Sequence, residues 1–172
     1  MTEIVIGYII VVLFGMCVGS FMNVLIYRIP KGEDFVRSHS HCMSCGHRLA
    51  WYDMFPVFSF LFLSGKCRYC GAKLSIQYPI IEAVNGALWG LCYYRYDFTV
   101  MGIVTAGLLS ALVVIAVIDE RTMEIPFGLN AFIFILAVIK VISEIAAVSV
   151  REGALHDFLY QTAGDEVDPI LK

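Results

Sequence analysis

From Phe98 to Ile118 the chain runs for 21 residues without a charged side chain. In water such a run has no stable fold of its own, whereas a helix of that length crosses a hydrocarbon core of roughly 30 Å. Three further apolar stretches accompany it: Ile4 to Ile26, about Tyr78 to Tyr94 with Glu82 and Asn85 inside it, and a last one from Phe127 that meets Lys140 and Glu144. Hydrophobic residues make up 59% of the chain and charged ones 16%, with a mean hydropathy of +0.78. Soluble domains hold about 45–50% and about 25% respectively. The sequence therefore predicts an all-α polytopic membrane protein with about four transmembrane helices. The first stretch carries Glu3, lacks a basic leader and exceeds a signal-peptide core, so it reads as a retained helix.

Charge is distributed unevenly along this chain of net charge −3. Seven of the 12 Lys and Arg lie between the first two stretches: Arg28, Lys31, Arg37, Arg48, Lys66, Arg68 and Lys73. Basic loops stay in the cytoplasm, which places this loop inside and the N-terminus outside. The third span then ends on the cytoplasmic side at Asp119. Against the seven basic residues stand Glu33, Asp34 and Asp53. Membrane topology accounts for that excess, and no nucleic-acid partner is expected.

The same loop carries one pattern twice. Cys42-Met43-Ser44-Cys45-Gly46-His47-Arg48-Leu49 and Cys67-Arg68-Tyr69-Cys70-Gly71-Ala72-Lys73-Leu74 both read Cys-x-x-Cys-Gly-x-(Arg/Lys)-Leu, and 21 residues separate Cys45 from Cys67. Each glycine suits the left-handed turn that aims two thiolates at one ion. The spacing is that of a four-cysteine zinc site. A reducing cytoplasm favours metal ligation over disulfides, and a loop of about 50 residues needs such a staple to fold. Four thiolates leave no open coordination position, so the expected zinc is structural, held by Cys42, Cys45, Cys67 and Cys70. His39, His41 and His47 are read as solvated or hydrogen-bonded, and Cys17 and Cys92 as packing residues. Met54–Leu63 is too short to span and is expected on the membrane surface or against the helices.

Polar residues also gather at one depth. Asn23 lies late in the first span, Glu82 early in the second and Asp119 at the end of the third, all towards the cytoplasmic leaflet. Polar groups at membrane depth mark a functional site by default, although charges also appear wherever a helix meets water. One carboxylate activates water only if a second carboxyl group shares its proton.

These residues carry a family resemblance over roughly residues 1–140. The block Gly19-Ser20-Phe21-Met22-Asn23 through Pro30, the paired cysteine motifs, Gly65-Lys66-Cys67-Arg68, Ser75 through Glu82, and the segment from Asp119 to Ile125-Pro126 resemble the prepilin peptidases, membrane aspartic proteases of bacteria. The resemblance implies cleavage of the leader from type IV prepilins or type II secretion pseudopilins at the cytoplasmic face of the inner membrane. In many members N-methylation of the new N-terminus follows, with S-adenosylmethionine as donor. Asp119 takes the place of the first catalytic aspartate, and Asn23 and Glu82 are site-supporting candidates. The second aspartate of the family closes a Gly-x-Gly-Asp motif, which Thr162-Ala163-Gly164-Asp165 matches only in Gly164 and Asp165. The chain thus reads as truncated before that motif, and a second chain supplying the missing helices is the partner this implies besides prepilin and lipid. The alternative reading is a proteolytically inactive homologue acting as a zinc-dependent prepilin-binding module. The expected organisation is a first transmembrane helix (1–27), a zinc-binding loop domain (28–78), a partial peptidase core (79–148) and a polar, poorly structured tail (149–172).

Overall fold

The computed structural model describes residues 2–34 and 39–167, with side chains as far as residue 153. Helix α1 (Thr2–Arg28) closes in a 3-10 turn over Ile29–Lys31, where Pro30 and the left-handed Gly32 end it. The loop holds a 3-10 turn at Trp51–Met54 and the short α2 (Phe58–Phe62). Helices α3 (Gln77–Tyr96), α4 (Val100–Thr122) and α5 (Phe127–Val167) follow. Thr99 caps α4 by accepting the Gly102 amide at 3.2 Å, and Met123 ends it in the left-handed conformation before Pro126. Among the described residues there is no strand, only two isolated bridges in the loop.

Among the described residues three helices are long and apolar enough to cross a membrane: Thr2–Lys31, Val100–Thr122 and Phe127–Gly153. The expected second span, α3, has the length but not the apolarity, because Gln77, Glu82, Asn85 and Arg95 dilute it. Its buried face turns Glu82 and Asn85 towards protein, with α1 and α4 as its helical neighbours. Helix α5 also departs from expectation. It continues past residue 148 to Val167, so the tail up to that point is helical. No proline interrupts the chain between Pro126 and Pro169, and the ion pair of Lys140 and Glu144 at 3.3 Å, one turn apart, offsets the charges inside the span.

Helices α1 and α3 approach so closely that glycine is required at the crossing. A Cβ on Gly19 would stand 2.8 Å from Glu82 Cα and 3.2 Å from Asn85 Cβ, and one on Gly86 would stand 3.1 Å from the Val12 carbonyl oxygen. The sequence carries this as two facing small-xxx-small motifs, Gly15/Gly19 and Gly86/Gly90, which allow the close approach that holds helices together in lipid. Asn85, 0% exposed, locks the contact. Its Nδ2 donates to the Gly15 carbonyl at 2.6 Å, its Oδ1 accepts from Ser110 of α4 at 2.7 Å, and Trp89 Nε1 donates to the same hydroxyl at 3.0 Å. Below this network Met22, Ile26, Ile81, Val114 and Ile118 form the buried core. That core joins the C-terminal ends of α1 and α4 to the N-terminal end of α3, beside the loop. A Gly19→Leu substitution should force the two helices apart. Unfolding of the purified protein in mixed micelles should show a loss of about 1–3 kcal/mol, the usual cost of overpacking.

Candidate metal centre and the cavity beneath it

Each cysteine pair sits in the same turn, and the two turns repeat bond for bond. In the first, Gly46 N–H donates to the Cys42 carbonyl (2.8 Å), Cys42 N–H to His47 (2.9 Å) and Leu49 N–H to Ser40 (2.9 Å). In the second, Gly71 N–H donates to Cys67 (2.9 Å), Cys67 N–H to Ala72 (2.8 Å) and Leu74 N–H to Gly65 (2.8 Å). Gly46 and Gly71 hold φ of 70° and 71°, a region that admits glycine without strain. The bridges His41–Arg48 and Lys66–Lys73 close the bases of the turns.

The turns bring the sulfurs of Cys42, Cys45, Cys67 and Cys70 within 4.8 Å of one another, with Cys42 and Cys70 at 3.8 Å. Four thiolates at about 2.3 Å from a tetrahedral ion lie about 3.8 Å apart, so the cluster fits a metal. Its acid–base state points the same way. The amides of Cys45 and Ser44 pull the Cys42 thiol down to about 6. The Ala72 amide acts likewise on Cys70, but burial and the neighbouring sulfurs outweigh it and push that thiol up to about 11. Four thiols this close do not all ionise without a cation among them. The histidines stay out of the cluster: His41 Nδ1 lies 3.2 Å from the His39 carbonyl, and the His47 ring packs on Tyr69.

One residue holding the second turn has no signal in the motif itself. Asp53, whose side chain is 3% exposed, takes Arg68 Nε at 2.7 Å, Tyr69 Oη at 3.2 Å and the Ala50 amide at 3.4 Å. Arg68 and Tyr69 are the two variable residues of the second Cys-x-x-Cys, so Asp53 fixes the turn that aims Cys67 and Cys70. Burial pushes its carboxyl upward, but the bonds from Arg68, Ala50 and Tyr69 outweigh this and hold it below its ordinary value. A depressed carboxyl stabilises the fold above the unfolded value of about 3.9, and the contribution disappears as pH falls through the folded value. Asp53→Asn should therefore lower metal affinity about tenfold near neutral pH, measured by competition with a chelator. The gap in melting temperature between the two proteins should be constant from pH 5 to 8 and close under stronger acid.

Between the turns and the helices lies a cavity of about 380 Å³. Asn23 and Glu82 both line it, as the sequence suggests for residues of one depth, together with Ser20, Tyr27, Arg28 and Tyr78. Asn23 is 3% exposed. Its Nδ2 faces the carbonyls of Tyr78 (3.2 Å) and Gly19 (3.4 Å), which leaves Oδ1 without a donor. Glu82 is 7% exposed, and its Oε2 accepts the Val57 amide at 2.7 Å. It thereby ties the loop to α3 at a residue held at a φ of 59°, unfavourable for a β-branched side chain.

Asp119 stands apart from these two. It is exposed at the end of α4, does not line the cavity, and its side chain has no hydrogen bond or ion pair among the described residues. Asp165 falls within α5, but its side chain lies outside the described ones. The segment 54–63, expected on the membrane surface or against the helices, runs from the end of the 3-10 turn through α2 and displays Phe55, Leu61 and Phe62.

Residues 13–96, which run from within α1 through both cysteine turns to the end of α3, match the family described as Bacterial Peptidase A24 N-terminal domain. The chain is 41% identical over 116 residues to the prepilin leader peptidase/N-methyltransferase of Myxococcus xanthus, covering 67% of this chain and 35% of that protein. The protein of the same name from Vibrio cholerae is 36% identical over 145 residues, with 78% and 57% covered. The one from Bacillus subtilis is 32% identical over 135 residues, with 78% and 54% covered. The chain thus spans from about a third to somewhat over half the length of these relatives. No solved structure matches it. The glycine-packed pair α1 and α3, with the four-cysteine cluster on the loop between them, is therefore the architecture of a named domain, and the chain belongs to the prepilin peptidase family.

Proposed function

We propose that this chain acts as a prepilin leader peptidase, cutting the leader from type IV prepilins or type II secretion pseudopilins at the cytoplasmic face of the bacterial inner membrane. The observation that carries the reading is the match over residues 13–96 to the Bacterial Peptidase A24 N-terminal domain, together with relatives named for this activity. The N-terminus lies outside and the cysteine loop inside, in keeping with the seven basic residues of that loop. Asp119 then stands at the cytoplasmic end of α4, where a leader preceding a hydrophobic helix would be presented. It supplies one catalytic carboxylate. The partial motif at Gly164 and Asp165 makes Asp165 the candidate for the second.

Zinc is the metal the cluster would hold, since an all-thiolate tetrahedral set suits it and leaves no site for substrate. Its role is to fold the loop over the helix ends. The relatives' names also couple cleavage to N-methylation. S-adenosylmethionine would supply the methyl group, and the cavity lined by Asn23 and Glu82 is within the volume range of small-ligand sites.

The test is a membrane assay. Membranes containing this chain should shorten a prepilin, and with S-adenosylmethionine added the new N-terminus should gain a methyl group by mass spectrometry. An uncut prepilin under conditions where a full-length relative works would overturn the reading.

A further inference from the structure

We infer that the cavity between the cysteine turns and helices α1 and α3 is a receptor for a primary ammonium group, held by Glu82 and by the Oδ1 of Asn23. The cavity offers an acceptor without a donor, Asn23 Oδ1, and a carboxylate without a counter-charge, Glu82. Asn23 cannot be rotated to satisfy its oxygen, because turning the amide would set that oxygen against the carbonyls of Gly19 and Tyr78. Its Oδ1 is buried and unpartnered, a condition that costs about 1–3 kcal/mol unless a donor arrives.

Glu82 presents a similar deficit in charge. Among the described residues the ion pairs are Arg68 with Asp53 and Lys140 with Glu144, and Lys31 and Lys73, which also line the cavity, form none with this buried carboxylate. Arg28, also on the cavity wall, donates to the carbonyls of Asp34 and His39. Arg68 is engaged by Asp53. A buried carboxylate is tolerated when paired and hydrogen-bonded; the Val57 amide and the Ser20 hydroxyl supply hydrogen bonds but no charge. An ammonium group brings three donors and the missing charge to a cavity that both residues line.

Two ligands of the proposed reactions carry that group: the freed N-terminus of a cleaved peptide, and the α-ammonium of S-adenosylmethionine. The inference rests on the proposed function for this choice of ligands, and on the cavity alone for the binding.

The experiment uses the full zinc-loaded chain in detergent and isothermal titration calorimetry. One arm compares leucyl-leucyl-leucine amide with its Nα-acetyl form. The other compares S-adenosylmethionine with methylthioadenosine, which lacks the amino-acid portion. In at least one arm the ammonium-bearing ligand should bind about tenfold tighter or better, and the arm in which it does so identifies the source. Glu82→Gln, which keeps an acceptor for the Val57 amide, should erase that preference with zinc content unchanged. Equal binding within both pairs, no binding of either ammonium ligand, or a preference that survives Glu82→Gln in folded protein would overturn the inference. If the variant does not fold, the wild-type pairs decide alone. Preference without prepilin cleavage would leave this site standing while the peptidase reading fell, and cleavage without preference would do the reverse.

Discussion

Asp119→Asn should reduce prepilin cleavage by about a thousandfold or more while leaving the protein folded and its metal in place. The side chain is exposed and bonds to nothing among the described residues, so the isosteric amide disturbs no packing and breaks no bond there. A surface change of that kind alters stability by at most about 0.5 kcal/mol. The amide cannot accept a proton from water, however, and a positioned acid–base group contributes about 10²–10⁴-fold to rate, with paired groups failing together. The measurement is the initial rate of leader removal at matched protein, beside melting temperature and zinc content. If Asp119 were only a charge where α4 meets water, all three readouts would stay within error of the wild type. Asp165→Asn in the same assay tests the second carboxylate, and an equal loss would make the two a unit.

Cys67→Ser should empty the metal site and unfold the loop without unfolding the helices. Cys67 is the buried sulfur of the second turn, and removing one thiolate from a four-thiolate site leaves a centre that holds metal orders of magnitude more weakly. Structural zinc contributes about 10–16 kcal/mol of apparent binding energy in small domains, so losing it removes more stability than a loop of this size possesses. Metal analysis should fall from one ion per chain towards none, and protease should cut between α1 and α3. Far-UV circular dichroism should change little, since α1, α4 and α5 keep their hydrogen bonds in the membrane. Cys17→Ser and Cys92→Ser lie outside the cluster and should leave one ion bound. A chelator applied to wild-type protein should reproduce the loss.

The cysteine cluster was legible in the sequence because its geometry is local. Each turn is set by a few adjacent residues, and the glycine after each pair admits the φ that the turn needs. The apolar spans were legible for a similar reason, since lipid demands a continuous run. Helix α3 was harder to classify. Its polar residues lower its hydropathy as they would in a loop, and only the packing against α1 and α4 shows that Glu82 and Asn85 are buried. Residues 149–167 read as irregular by composition, yet they hold no proline to stop a helix already under way. The facing glycine pairs were present as a pattern, but a pattern of small residues does not name its partner helix.

By itself the sequence determined the four cysteines that gather in one cluster, three of the four spans it suggested and the family, because each depends on residue type at short spacing. Only the tertiary structure decided what joins the parts. Asp53 reaches Arg68 and Tyr69 across 15 and 16 residues, Glu82 reaches the Val57 amide across 25, and Asn85 reaches the Gly15 carbonyl across 70. It also separated Asp119 from Asn23 and Glu82, which the sequence placed at one depth. Depth along a span follows from counting residues at a fixed rise of 1.5 Å. The direction in which a side chain points, and what meets it, depends on how the helices rotate and cross, and the glycine contact between α1 and α3 sets that.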